Sequence, residues 1–274
     1  MKKLLTIAGS DCSGGAGIQA DLKSFSAQGV YGMSVITAIT AQNTQGVFAV
    51  QDISPEIIGM QMDAIFTDIQ VDGVKIGMVS QASSIEIISE KLKQYKPINI
   101  VLDPVMISKS GYSLLQPSAK SALLSKLLPL AHVITPNIPE AEAILEEKLG
   151  KAFPINNIED MAAAAEEISK LGPKYVLVKG GHLEASAVDV LFDGNKILYF
   201  TEERILTKNT HGTGCTLSSA IAANLALGHS MENSIKNSKD YITEAIKHSL
   251  NIGKGVGPTN HFYSLYKKAG MNYE

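Results

Sequence analysis

The sequence predicts an α/β fold: a doubly wound, mostly parallel central sheet with helices on both faces and a small β-hairpin at the sheet edge. Three observations predict it. Short apolar, β-branched runs recur along the chain, stretches with helical apolar spacing separate them, and one late pair of apolar runs brackets a Gly-containing turn. Parallel neighbours need a crossover connection, and a helical crossover covers the sheet face, so such alternation reads as βαβ units rather than a sandwich.

Residues 4–8 open the chain as a buried strand that gives way at Gly9 to a Gly/Ser loop, and residues 18–28 follow with helical spacing. Ser34-Val35-Ile36-Thr37-Ala38-Ile39 repeats the strand, and Ile58, Met62, Ile65 and Phe66 mark one face of the next helix. Further buried strands are expected at 73–76, 98–102, 132–135 and 175–178, with helical patterns between them such as Ile158, Met161, Ala162, Ala165 and Leu171. Val190-Leu191-Phe192 and Ile197-Leu198-Tyr199 flank Asp193-Gly194-Asn195, a turn suited to positive φ, which predicts the antiparallel edge hairpin. No internal repeat, low-complexity tract or linker interrupts the pattern, so residues 1–270 are expected to form a single domain.

The composition bounds the function. With 45% hydrophobic and 19% charged residues, the 274-residue chain has the makings of a large aliphatic core. A net charge of -3 leaves no basic footprint for nucleic acid or an anionic membrane, and no apolar run approaches the roughly 18 residues of a membrane helix. The expected partner is a small molecule. Lys2 and Lys3 followed by Leu4 and Leu5 imitate a signal peptide, but Gly9, Ser10 and Asp11 end the run short of an h-region. Two cysteines, Cys12 and Cys215, are too few for a disulfide framework, and reduced thiols in a cytoplasmic protein are expected.

In a doubly wound sheet the ligand lies beyond the carboxyl ends of the strands, which makes residues 9–17, 42–46, 103–111, 135–140 and 208–216 the informative interruptions. The most specific is His211-Gly212-Thr213-Gly214-Cys215, because it leads into the helix-compatible run 217–227. A Gly-rich turn at a helix N-terminus aims free N–H groups at an anion, and the helix dipole adds to the attraction. The same glycines could serve close packing alone, with the threonines capping the helix. Cys215 also reads two ways, as an inert buried thiol or as a thiol whose pKa the helix N-terminus lowers, fit to accept a proton from a hydroxyl. Asp103, after Ile100-Val101-Leu102, and Glu140, in the helix opened by Asn137, bring carboxylates to the same edge. Hard oxygen ligands of this kind suit Mg²⁺, although either residue would also serve as a turn or helix-start residue. Lys179-Gly180-Gly181-His182 brings a cation there. Residues 9–17 lack the Gly-x-Gly-x-x-Gly spacing, and Gly253-Lys254-Gly255 lacks the rest of a Walker A loop.

These segments together resemble the hydroxymethylpyrimidine/phosphomethylpyrimidine kinases, the thiamine-pathway branch of the ribokinase-like superfamily. The resemblance runs nearly end to end. It is carried by Leu5-Thr6-Ile7-Ala8-Gly9-Ser10-Asp11, residues 13–21, Ala41-Gln42-Asn43-Thr44, Lys75-Ile76-Gly77-Met78, Asp103-Pro104-Val105-Met106, Thr135-Pro136-Asn137, Lys179-Gly180-Gly181-His182 and the 210–218 loop. It implies a ribokinase-like fold and ATP-dependent phosphorylation of 4-amino-5-hydroxymethyl-2-methylpyrimidine and then of its monophosphate. It also implies that Asp21, Gln42, Met78 and Val105 shape the pyrimidine pocket, with Gln42 on the ring edge. Asn137, Lys179 and Gly214 would lie near ATP, Asp103 and Glu140 would organise Mg²⁺, and His211 would close over the phosphate as part of a mobile flap. The wider superfamily carries Asp where this chain has Cys215, so thiolate base and positioning group both stay open. The resemblance further implies a homodimer. Cys12 departs from the family, which carries Pro or another small residue there. The nearest alternative is a pyridoxal or pyridoxine kinase, since that ring is also flat, bears a hydroxymethyl group, and has an aldehyde that can add to Cys215. Residues 41–46 resemble the pyrimidine version. A catalytically silent binding protein is the alternative from another class, and the intact Asp103, Glu140 and 212–215 set argues against it.

Overall fold

A computed structural model describes residues 1–107, 111, 114–181 and 187–271. Nine strands form one sheet: β1 (Lys3–Asp11), β2 (Tyr31–Asn43), β3 (Gly46–Asp52), β4 (Gly73–Ile76), β5 (Ile100–Leu102), β6 (Val133–Ile134), β7 (Tyr175–Lys179), β8 (Ala187–Phe192) and β9 (Ile197–Glu202). The helices are α1 (Gly17–Ala27), α2 (Pro55–Phe66), α3 (Ala82–Tyr95), α4 (Pro117–Ala122), α5 (Ile138–Leu149), α6 (Ile158–Ser169), α7 (Thr213–Ala226), α8 (Met231–Lys247) and α9 (Tyr263–Lys268).

The strand order is β3-β2-β1-β4-β5-β6-β7-β8-β9, with β2, β1, β4, β5, β6 and β7 parallel. The central parallel strands β1, β4, β5, β6 and β7 bury both faces, as crossovers on two sides demand. Leu5, Ile7, Val74, Ile76, Leu102, Ile134 and Val176 face one core, shared with α2 to α6, while Leu4, Val101, Val133 and Leu177 face the other, shared with α1, α7 and α8. The two-residue side-chain alternation of a strand is what divides neighbours such as Leu4 and Leu5 between the cores. The doubly wound sheet and the edge hairpin are as the sequence predicts. Asp193 Oδ1 accepts from the backbone of Asn195 and Lys196, and Gly194 adopts φ 96° in the turn between β8 and β9.

Two expectations change. β1 does not stop at Gly9. A register shift between Ala8 and Ser10 lets the strand continue, pairing Ser10 with Ile39 and Asp11 with Thr40. Residues 42–46 are not an open loop, because Gln42 and Asn43 end β2 and the chain turns back at once into antiparallel β3. β3 lies at the edge with Phe48 66% exposed, so it lacks the buried apolar run that signals a strand in sequence.

The helices begin where local chemistry starts them. Ser54 accepts from Ile57 N–H ahead of Pro55, and Asn137 and Glu140 form a reciprocal capping box. α5 ends at Gly150, whose φ of 67° suits the residue after a helix.

Between the layers lies a fully buried ion pair. Lys75 Nζ on β4 bonds both carboxylate oxygens of Asp21 on α1, at 2.8 and 3.0 Å, with both side chains 0% exposed. Asp21 also accepts from Thr6 of β1 and Ser219 of α7, each at 2.6 Å. The carboxylate thus joins two strands and two helices, and all of its partners are hydrogen-bond donors. Removing one member of a buried pair leaves the other charged and uncompensated, so Asp21→Ala is expected to cost about 3–5 kcal/mol in equilibrium urea unfolding. The double variant Asp21→Ala/Lys75→Met is expected to cost clearly less than the sum of the two singles.

Candidate active site

β1 lies between β2 and β4, so the chain winds outward in both directions from it and leaves a crevice at the carboxyl ends of the strands. A cavity of about 640 Å³ opens there. Asp11 from the end of β1, Gln42 from β2, Met78 after β4, Asp103 and Val105 after β5, Asn137 after β6 and Lys179 from β7 all line it. His211, Gly212, Thr213, Gly214 and Cys215 close the opposite wall, with Glu140 beside Asn137. Residues far apart in sequence therefore meet because each sits at the same end of its strand.

The helix start is built for close approach. Gly212 has φ 78°, and a Cβ there would lie 1.8 Å from the carbonyl oxygen of Gly15, so glycine alone fits. No side chain caps α7, and the amides of its first turn, at Gly214 and Cys215, have no intrahelical acceptor. A Cβ on Gly214 would sit 3.5 Å from Lys179 Nζ and 3.7 Å from Asp103 Oδ2, which places the helix N-terminus against that ion pair. Lys179 Nζ bonds Asp103 Oδ1 at 2.9 Å, and Ser218 and Thr135 add hydroxyl donors to the carboxylate at 3.3 Å each.

Burial disfavours every charge here, and the partners decide which charges survive it. For Asp103, Lys179 and then Lys75 outweigh burial and hold the carboxyl below the usual range. For Lys179, Asp103 and Glu140 outweigh burial and hold the ammonium high. Glu140 goes the other way: burial, with help from Asp103, pushes it up to about 7 against the pull of Lys179. Its capping-box bonds to Asn137, at 2.8 and 2.9 Å, fix where it points.

Four sequence expectations need correction or completion. Burial pushes the Cys215 thiol up to about 11, with Lys75 opposing and Asp21 and Asp103 adding to the rise. The lowering expected from the helix N-terminus is overridden because desolvation of a buried thiolate outweighs the dipole. Asp21, expected in the pyrimidine pocket, lies beneath its floor and is not in the lining; it holds Lys75, which is. His211, expected in a flap, has its Nε2 2.8 Å from Asp11 Oδ2 and 3.1 Å from the Gln42 amide, and its backbone N–H bonds Gly257 O at 3.0 Å. Cys12, which departs from the family, exchanges contacts with the Gln42 backbone. His182, expected beside Lys179, lies outside the described residues, as do residues 108–110 of the expected 103–111 loop.

Lys75 and Asp11 are among the lining residues that sequence reasoning left without a role. Lys75 had a signal, a lone charge inside the apolar strand Gly73-Val74-Lys75-Ile76, and Gly77 leaves room for it, since a Cβ there would lie 2.7 Å from its Nζ. Asp11 is held charged, at about 2: burial would raise it, but hydrogen bonds from His211 and Ser13 prevail.

A family model described as phosphomethylpyrimidine kinase matches residues 11–260. A hydroxymethylpyrimidine/phosphomethylpyrimidine kinase of Rhizobium meliloti is 52% identical over 266 residues, covering 96% of this chain and 98% of its own. Among solved structures, a phosphomethylpyrimidine kinase of Clostridium difficile is 56% identical with a TM-score of 0.79, covering 90% of this chain and 100% of its own. An ADP complex of Bacillus subtilis pyridoxal kinase is 41% identical with a TM-score of 0.87, covering 96% and 98%. With a cavity of this construction, a match over nearly its whole length and this degree of identity, the chain belongs to the phosphomethylpyrimidine kinase family.

Proposed function

We propose that the chain transfers the γ-phosphoryl group of ATP to the hydroxymethyl group of 4-amino-5-hydroxymethyl-2-methylpyrimidine, then a second one to the resulting monophosphate, as a step of thiamine biosynthesis. The observation that carries the reading is the uncapped N-terminus of α7, set against Lys179 and Asp103 and sharing one cavity with Gln42, Met78 and Val105. The R. meliloti relative, named for both phosphorylations, supports the double use.

In this mechanism Gln42, Met78 and Val105 hold the pyrimidine, and Asn137, Lys179 and Gly214 hold the nucleotide phosphates. The hydroxymethyl oxygen attacks the γ-phosphorus, the bond to the bridging β–γ oxygen breaks, and ADP leaves with the electron pair. The amides of Gly214 and Cys215 and the Lys179 ammonium stabilise the charge on the transferring group, at about 3–4 kcal/mol for a well-placed donor. The hydroxyl proton passes to the Cys215 sulfur as thiolate, a minority form whose charge the neighbouring Lys75 favours.

Asp103 and Glu140 fit Mg²⁺. They offer two hard carboxylates to one end of the cavity. That pattern suits an ion that keeps water and phosphate oxygens as its remaining ligands. Bound there, Mg²⁺ would neutralise phosphate charge.

A second reading, pyridoxal phosphorylation, draws on the B. subtilis pyridoxal kinase likeness and on a cavity-lining thiol able to add to an aldehyde. The proposal extends to residues 1–270 acting as one kinase domain, since a single sheet carries both cores, and to a cytoplasmic homodimer, as the resemblance implies. Among the described residues no helix is long and apolar enough to cross a membrane.

Coupled ATP turnover with Mg²⁺ is expected with hydroxymethylpyrimidine and its monophosphate, well above pyridoxal at matched concentration. Faster turnover of pyridoxal would promote the second reading, and ATP use unaffected by any acceptor would overturn both. Cys215→Ala is expected to lower kcat by about 10²–10⁴. Because the base must lose a proton and its pKa is pushed up to about 11, wild-type kcat/KM should climb roughly tenfold per unit from about pH 8 to about pH 10, above the titration of Glu140, and the variant's profile should be flat there. Asp103→Asn is expected to raise the Mg²⁺ concentration needed for half-maximal turnover by about tenfold or more, the usual weight of a lost charged ligand.

A further inference from the structure

The Gly253-Lys254-Gly255 motif, which fails as a Walker A loop, has a place in the fold. It wraps the turn between β2 and β3: Gly255 N–H donates to Thr44 Oγ1 at 3.1 Å and Val256 N–H to Thr44 O at 2.8 Å. Thr44 and Gln45 leave no room for a Cβ at Gly253 or Gly255. The chain then returns toward the active site, where Gly257 O accepts from His211 N–H at 3.0 Å. A second cavity, of about 700 Å³, is lined by this segment and by the loop that follows β1. His211, with Gly15 and Pro258 packed close to it, belongs to the walls of both cavities.

The charge in this second wall has one sign. Lys23 and Lys254 line it and no Asp or Glu does, although the chain as a whole carries more acidic than basic residues, 27 against 24. The one hydrogen bond of the Lys23 ammonium among the described residues goes to Gly14 O at 2.7 Å, which leaves two of its three protons. Lys254 is exposed, and neither lysine forms an ion pair among the described residues. His261, buried in the same wall, is brought down to about 4 by burial and then by Lys23, so the field of that lysine acts there uncancelled. Thr259, also in the wall, is 1% exposed, and its hydroxyl has no partner among the described residues, where buried hydroxyls ordinarily have one. The remaining character is apolar: Leu250, Ile252, Phe262 and Tyr266 line the cavity, the last two with ring centroids 5.5 Å apart and planes tilted by 50°.

Two unpaired ammonium groups without a neighbouring carboxylate call for an anion, and compact lysine charges suit phosphate. A bare inorganic anion would fill little of the space and leave the aromatic side wet, whereas cavities of this size with an apolar lining and a few polar groups hold small organic molecules. We propose that this cavity is a second binding site, for a small organic phosphate whose phosphate group meets Lys23 and Lys254 and whose apolar or aromatic body packs on Ile252 and Phe262. Lys179, Asp103 and Cys215 do not line it, so the site stands independently of the reaction assigned to the first cavity.

The test is calorimetric titration of phenyl phosphate into the protein saturated with ADP, in wild type, Lys254→Glu and Phe262→Ala, with inorganic phosphate as a second titrant. Phenyl phosphate is expected to bind wild type about tenfold or more tighter than inorganic phosphate, because burial of its ring adds to the charge attraction. Lys254→Glu and Phe262→Ala should each weaken phenyl phosphate by about tenfold, while ADP affinity and coupled ATP turnover stay at the wild-type level. Lys254 is exposed, so its variant is expected to fold and keeps the test decisive. The absence of phenyl phosphate binding, equal affinity for the two titrants, or affinity undiminished in either folded variant overturns the site. An equal weakening of ADP in Lys254→Glu also overturns it, since that would report a change in the overall field instead of the loss of a local contact.

Discussion

The buried pair between Lys75 and Asp21 is the constraint around which the site is arranged. An ammonium in the middle of a parallel sheet is tolerable only with a carboxylate at contact distance, and that carboxylate only with its own lone pairs filled. Asp21 meets both conditions by drawing Thr6, Lys75 and Ser219 onto itself. In doing so it sets α1 and α7 at fixed positions over β1 and β4, and so fixes the start of α7 relative to the strand ends. The positive charge lies in the cavity lining, close enough to Cys215 to favour the thiolate.

Around this centre the same low-polarity surroundings give different outcomes to different groups. Asp103 and Lys179 face each other and both stay charged, whereas Glu140, sharing Lys179 with Asp103, is pushed toward neutrality. Cys215 gains from the helix N-terminus and from Lys75 but loses more by being out of water. The site at rest thus holds a charged pair, a carboxyl poised near neutrality and a protonated thiol, a combination ready to respond when a polyanionic nucleotide enters. Catalysis by such a site rests on fixed charges and amides more than on a strong resting base, in keeping with the loose transition state of phosphoryl transfer.

The Gln42 side of the cavity is organised by the end of β1. The register shift near Gly9 carries Asp11 and Cys12 past the point where an ordinary strand would have ended, directly alongside the end of β2. Asp11 then reaches across about 200 residues of sequence to His211. The Lys179 side and the Gln42 side of the cavity are thereby joined at one loop, since His211 immediately precedes the glycine that opens α7.

What the sequence determined by itself is what local pattern encodes. Apolar periodicity announced the parallel sheet, its helices and the edge hairpin, and Gly212 and Gly214 ahead of a helix-forming run, with residues closing strands such as Asp103, Asn137 and Lys179, announced the residues that line one cavity. Edge strand β3 escaped because a strand exposed on both faces carries no buried run. Tertiary structure alone decided the state and partners of each group. It set Asp21 beneath the cavity floor, made Lys75 a lining residue, placed His211 against Asp11, gave Cys12 a partner in Gln42, and reversed the expected shift of Cys215. Those outcomes depend on desolvation and on charges brought together from distant parts of the chain, and neither quantity exists until the chain has folded.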